Sequence, residues 1–225
     1  LIKYRYTIEI KWFIHLSKNS QIKELPKLDI KDYLYLNDLI NNFDIKDAKR
    51  VKTIEKKTNH DVKAIEYFIR EKFKKHKKLS KYQEFIHFAC TSEDINNLSY
   101  ALMIKEAKSI TKAAINETNK KIKQLANKYK KISMLSRTHG QNASPTTMGK
   151  EFANFHHRIN KISLSVDRRI MTGKINGAVG NYNAHRVAYP EIDWQKISNQ
   201  FVRSLKLDFN SCLLYTSPSP RDLAR

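Results

Sequence analysis

Glycine is nearly absent from this chain. Its 225 residues include five, and all of them fall between Gly140 and Gly180. Left-handed turns and close backbone approaches favour glycine, so that special geometry is expected mainly in one region. Cysteine is as sparse. Cys90 and Cys212 give no disulfide framework and no metal-ligand spacing, which fits a reducing compartment. No apolar run approaches the length of a membrane span, and Leu1-Ile-Lys-Tyr4 lacks the layout of a signal peptide. A cytoplasmic protein with no membrane partner is therefore expected. An initiating Met is also missing, which suggests a fragment. Zinc-finger spacing and glycine–aromatic RNA signatures are absent too, and no strand-rich region stands out.

What is present is helical and basic. Hydrophobic residues make up 40% and charged residues 29%, ordinary values for a globular protein with ample length for a core. The net charge of +21 invites a nucleic-acid reading. Its excess is mostly Lys spread along the chain with abundant Asn and Ile, as codon bias in an AT-rich genome would produce. The densest cluster, Lys74-Lys-His-Lys-Lys78, reads as a solvated face or loop. Nucleic acid is not the expected partner.

Apolar residues step by three and four nearly throughout. Val62, Ile65, Ile69 and Phe73 follow Thr58-Asn-His-Asp61, a variant capping box with Thr as the expected N-cap. Thr91-Ser-Glu-Asp94 repeats the arrangement before Ile95, Leu98 and Leu102. The run continues through Ile110, Ala114, Ile122, Leu125 and Tyr129. Ser144-Pro145 reads as N-cap and first helical residue of a helix striped by Phe152, Phe155, Ile159, Ile162, Val166 and Ile170, with Gly173 as its stop. A loop or short hairpin follows around 173–183, and a short helix is expected from about Trp194 to Leu205. The fold class is all-α: an N-terminal helical domain over 1–80, then the first part of a long central helix bundle over 81–210. The stripes suit pairing with further helices. From Ser211 onward Lys disappears and two Ser-Pro units occur, so 211–225 reads as a non-native tail, as translated adaptor sequence would give.

Three segments combine hydroxyls, amides and His at expected helix starts or loops. They are Thr58-Asn-His-Asp61, Cys90-Thr-Ser-Glu-Asp94 and Arg137-Thr-His-Gly-Gln141. Helix N-termini carry unpaired N–H groups and partial positive charge, which suits a carboxylate or phosphate. Thr58 and Thr91 taken alone are better read as plain caps. His87, between Phe85-Ile86 and Phe88-Ala89, reads as a hydrogen-bonded core histidine, and one of His156 and His157 must face solvent. His139 differs, because it lies in a polar stretch and Gly140 follows it directly. A histidine gives or takes a proton near neutral pH, so general acid or base work suits it.

Together the segments resemble the adenylosuccinate lyases of the fumarase/aspartase superfamily. The resemblance rests on Thr58–Ala64, Ile86–Asn97, Ser136–Gln141 and Gly173–His185, in the family's order, and runs from about Leu1 to Asn210. It implies β-elimination of fumarate from adenylosuccinate to give AMP, and from SAICAR to give AICAR, with no metal or organic cofactor. It implies that His139 is the general acid, and that Thr91 and Ser92 hold the succinyl or fumarate end. Asn59, His60 and Asp61 would contact substrate from another helix start, with Thr138 and Gln141 nearby. The resemblance further implies a homotetramer whose active site draws on three subunits.

The sequence also departs from the family pattern. The family's proton-abstracting Ser lies in a Gly-Ser-Ser-x-Met-Pro loop that is not found here, and a downstream substrate-binding Gln is missing. An Arg-Tyr pair that binds phosphate would precede Leu1, and Asn142 replaces a frequent Pro. The chain is thus expected to be inactive alone. The alternative is a non-catalytic basic helical protein, either a decayed copy or an anionic-ligand binder.

Overall fold

The computed structural model describes residues 1–211; all but the first residue of the 211–225 tail lies outside the described residues. Four helices open the chain: α1 (Ile2–Leu16), α2 (Ile30–Asn41), α3 (Ile45–Thr58) and α4 (Asp61–Phe73). Capping boxes start two of them, Asp29 with Asp32 for α2 and Asp44 with Asp47 for α3. Each places a carboxylate on N–H groups that have no helical partner. A 3-10 turn (Leu79–Phe85) leads to α5 (Ser92–Lys128), the longest helix at 37 residues. Strands β1 (Ser133–Thr138) and β2 (Gln141–Thr147) precede α6 (Met148–Asp167). Beyond it come β3 (Thr172–Gly173), α7 (Asn183–Ala188), α8 (Trp194–Ser204) and β4 (Asp208–Phe209). The fold is all-α, with two small two-stranded ladders. Among the described residues no helix is long and apolar enough to cross a membrane.

The described chain forms two compact units. The first comprises Leu1–Met103 and the described residues from Met171 onward; the second is Ile104–Ile170. In the first, α1 runs through the core, with Tyr6, Ile8, Ile10, Trp12, Phe13 and Leu16 all buried. The α4 stripe Val62, Ile65, Ile69 and Phe73 is fully enclosed, as its spacing requires. Aromatic edges knit the helices together: Phe13 meets Phe73 at 4.9 Å between ring centres, and Trp12 meets Phe201 at 5.0 Å. β3 and β4 pair in parallel, with Asp208 N–H donating to Met171 O and Asn210 N–H to Gly173 O.

The second unit holds the rest of α5, the β1–β2 hairpin and α6. Its apolar stripe is largely uncovered: Ile110 is 67% exposed, Phe155 56%, Ile162 65% and Ile170 67%. His157 faces solvent, while His156 bonds Asn119 at 2.9 Å.

Several local expectations are corrected. Thr58 ends α3 rather than capping α4; Asn59 follows with φ +50, and the N-cap is His60, whose ring Nδ1 accepts Lys63 N–H at 3.2 Å. With so short a junction between two helices, the Thr58 hydroxyl turns back to Glu55 O and His60 O. Ser144 and Pro145 belong to β2, where Pro145 pairs with Leu135 and Ser136 Oγ donates to Ser144 O. Proline is tolerated at the edge of so small a ladder. The cap of α6 is instead Thr147, whose hydroxyl accepts Lys150 N–H at 3.2 Å. α6 ends at Asp167, so Gly173 is not its stop but the end of β3. The segment 174–182 is a loop.

Candidate active site

Asp61 opens α4 with both carboxylate oxygens engaged. Oδ1 accepts Val62 N–H at 2.9 Å, and Oδ2 meets Arg5 Nη2 at 2.6 Å. Burial opposes ionisation, but the Val62 N–H and the Arg5 guanidinium outweigh it and hold Asp61 below the usual carboxylate range. Arg5 is only 7% exposed, so its charge needs partners within the fold. Its Nε also donates to Asn96 Oδ1 at 2.8 Å. One guanidinium from α1 therefore joins the start of α4 to the first turns of α5. Asp61, one of the expected contacts, is tied in this way to the helix that begins at Ser92.

Asn59 takes a left-handed conformation, and its N–H donates to Glu55 O at 2.8 Å, ending α3. His60 uses Nδ1 to cap α4, so a neutral ring carries its proton on Nε2, away from the helix. Thr91 and Ser92 are half-buried at the start of α5. Among the described residues neither hydroxyl takes part in a hydrogen bond. Thr91 instead donates its backbone N–H to Asp94 Oδ2 at 2.9 Å, the reciprocal half of the expected capping box.

The third group lies in the second unit. Thr138 and Gln141 pair across the end of the hairpin, leaving His139 and Gly140 as its two-residue turn. Both turn residues have positive φ, +49 and +78, as a type I′ turn demands. His139 thus sits at a hairpin tip with its side chain exposed, rather than just ahead of a helix. Its strained backbone is where a functional side chain is often held.

Three features were not read from sequence. Arg5 lies in α1 with no motif around it. Asp94 was visible only as a capping residue, although it is fully buried and also bonds loop 174–177. The partner of His87 was the third. Its Nδ1 lies 2.6 Å from Glu9 Oε1, 78 positions away, and His87 has φ +60. Burial lowers the affinity of His87 for a proton, but the Glu9 carboxylate more than reverses this and raises its pKa. Among the described residues no cluster of three or more His, Cys, Asp or Glu is placed to hold a metal ion.

A family model described as "Lyase" matches residues 2–211. The adenylosuccinate lyase of Legionella pneumophila (strain Corby) is 49% identical over 219 residues, covering 97% of this chain and 48% of that protein. The adenylosuccinate lyase of Escherichia coli (strain K12) is 48% identical over 211 residues, covering 93% and 46%. The chain spans about half the length of the curated relatives it matches. Among solved structures, the fumarate lyase from Mesorhizobium sp. BNC1 superposes with a TM-score of 0.75 at 15% identity, covering 94% of this chain and 47% of that one. At that identity the likeness establishes the helical fold and nothing more. Matched by one family model over nearly its whole length, the chain belongs to the lyase family.

Proposed function

We propose that this chain is the N-terminal and central part of an adenylosuccinate lyase. The observation that carries the reading is near-half identity to adenylosuccinate lyases across 93–97% of the chain. The complete enzyme splits adenylosuccinate into AMP and fumarate, and SAICAR into AICAR and fumarate. Such an elimination removes a proton beside a carboxylate, builds negative charge there, and protonates a poor amine leaving group. His139 donates the proton to the leaving nitrogen. Its place in a tight turn with positive φ fixes the backbone from which the ring projects.

Thr91 and Ser92 provide hydroxyl donors for the succinyl carboxylate at the N-terminal end of α5, where the helix dipole favours the charge that develops. Asn59, His60 and Asp61 contact substrate from the α3–α4 junction, and Thr138 and Gln141 flank the acid. The base is a Ser in a loop beyond this chain. The complete protein is a cytoplasmic homotetramer, with 1–80 as its N-terminal domain and 81–210 as the start of a central bundle. The uncovered stripe on α5 and α6 supports further helices packing there. The test is stoichiometry with the complete enzyme: adenylosuccinate consumed must equal fumarate and AMP formed. Consumption without fumarate would refute the reading.

A further inference from the structure

We propose that Asp94 is a positioning residue: with Asn97 it clamps the first turn of α5 to loop 174–177 and so fixes where Thr91 and Ser92 present their hydroxyls. The proposal rests on the reading above, in which those hydroxyls hold the fumarate end of the substrate. Asp94 is fully buried and engaged by three backbone N–H donors and one ammonium. Oδ1 accepts Asn176 N–H at 3.1 Å and forms an ion pair with Lys174 Nζ at 2.9 Å. Oδ2 accepts Thr91 N–H at 2.9 Å and Gly177 N–H at 3.1 Å. Both carboxylate oxygens are therefore committed within the fold. The work of Asp94 is geometric.

Plain capping does not account for this arrangement. A cap needs only the Thr91 N–H, yet two further backbone donors come from 82 and 83 positions away. Asn97 repeats the clamp one turn on: its Oδ1 accepts Lys174 N–H at 2.8 Å and its Nδ2 donates to Lys174 O at 3.1 Å. Lys174 Nζ closes the loop on itself through Gly177 O at 2.9 Å, and Ser198 Oγ anchors it to α8 through Ile175 O at 2.7 Å. Gly177 lies at φ +85, a conformation a side chain rarely adopts. Thr91 shares its N–H with this network, so the same carboxylate locates Thr91 and the adjoining Ser92. Donors stabilise developing charge only when held in place beforehand.

The experiment measures inhibition of the complete lyase by each product, fumarate and AMP, in wild type, Asp94→Asn, Asn97→Ala and Ser92→Ala. A clamp that positions Thr91 and Ser92 predicts that Asp94→Asn weakens fumarate inhibition about tenfold and leaves AMP inhibition within about twofold. Asn97→Ala shifts fumarate the same way by a smaller factor, and carries the test if Asp94→Asn does not fold. Equal weakening toward both products, or no change in the folded clamp variants while Ser92→Ala still loses fumarate, overturns the proposal. If Ser92→Ala leaves fumarate inhibition intact, it is the placement of the fumarate end that fails.

Discussion

His185 is fully buried against Trp194, Trp12 and Tyr182, and among the described residues neither ring nitrogen has a hydrogen-bond partner. Desolvation pushes its pKa down to about 4, against a weaker pull from Asp94. Between pH ~6.5 and about 4 the unfolded chain therefore binds a proton that the folded chain refuses. Stability is full above that window and falls as the pH drops through it, by about 3 kcal/mol. His87 has the opposite sign: its contribution is present below the unfolded value and is lost as pH rises through its raised folded pKa. Urea unfolding at pH 7 and pH 4.5 checks this. The stability difference between the two pH values should shrink in His185→Leu, and an unchanged difference would show that the ring is not the source. His87 reads from sequence as a hydrogen-bonded core histidine and is half-buried in the fold, while His185 is legible only as part of a motif. Glu9, which raises His87, lies 78 positions away, and Trp12 reaches His185 from α1.

At the scale of elements, the hairpin that carries His139 depends on its turn. Gly140 at φ +78 has open space around it, so strain rather than crowding limits substitution there. Gly140→Val should cost about 1–2 kcal/mol and displace His139. Turnover of the complete enzyme should fall with substrate affinity largely kept, whereas Gly140→Asn, which tolerates left-handed backbone, should lose much less. Equal turnover in both variants would sever the turn from the chemistry. Helix existence is legible from periodicity, as the buried α4 stripe shows. The hairpin was not, because its strands are mostly exposed and carry no apolar alternation. The boundary at Ser144-Pro145 was misplaced because a Ser-Pro pair serves a helix start and an edge strand equally well. The three candidate segments read as motifs, but Arg5, which joins Asp61 to Asn96, offers no local signal.

Taken whole, the molecule pairs a well-filled first unit with a second whose apolar stripe is uncovered. Ile110, Phe155, Ile162 and Ile170 are large apolar side chains left in water. The 225-residue chain alone should associate at micromolar concentration and show no turnover, and light scattering should fall in Phe155→Lys with Ile162→Lys. A monodisperse, unassociated wild-type chain would contradict that account of the stripe. The measurement that bears most directly on the central claim is turnover of adenylosuccinate by the complete enzyme carrying His139→Ala. A loss of about 10²- to 10⁴-fold in kcat is expected, with substrate still bound. Wild-type turnover in that variant would contradict it and remove His139 from the acid role.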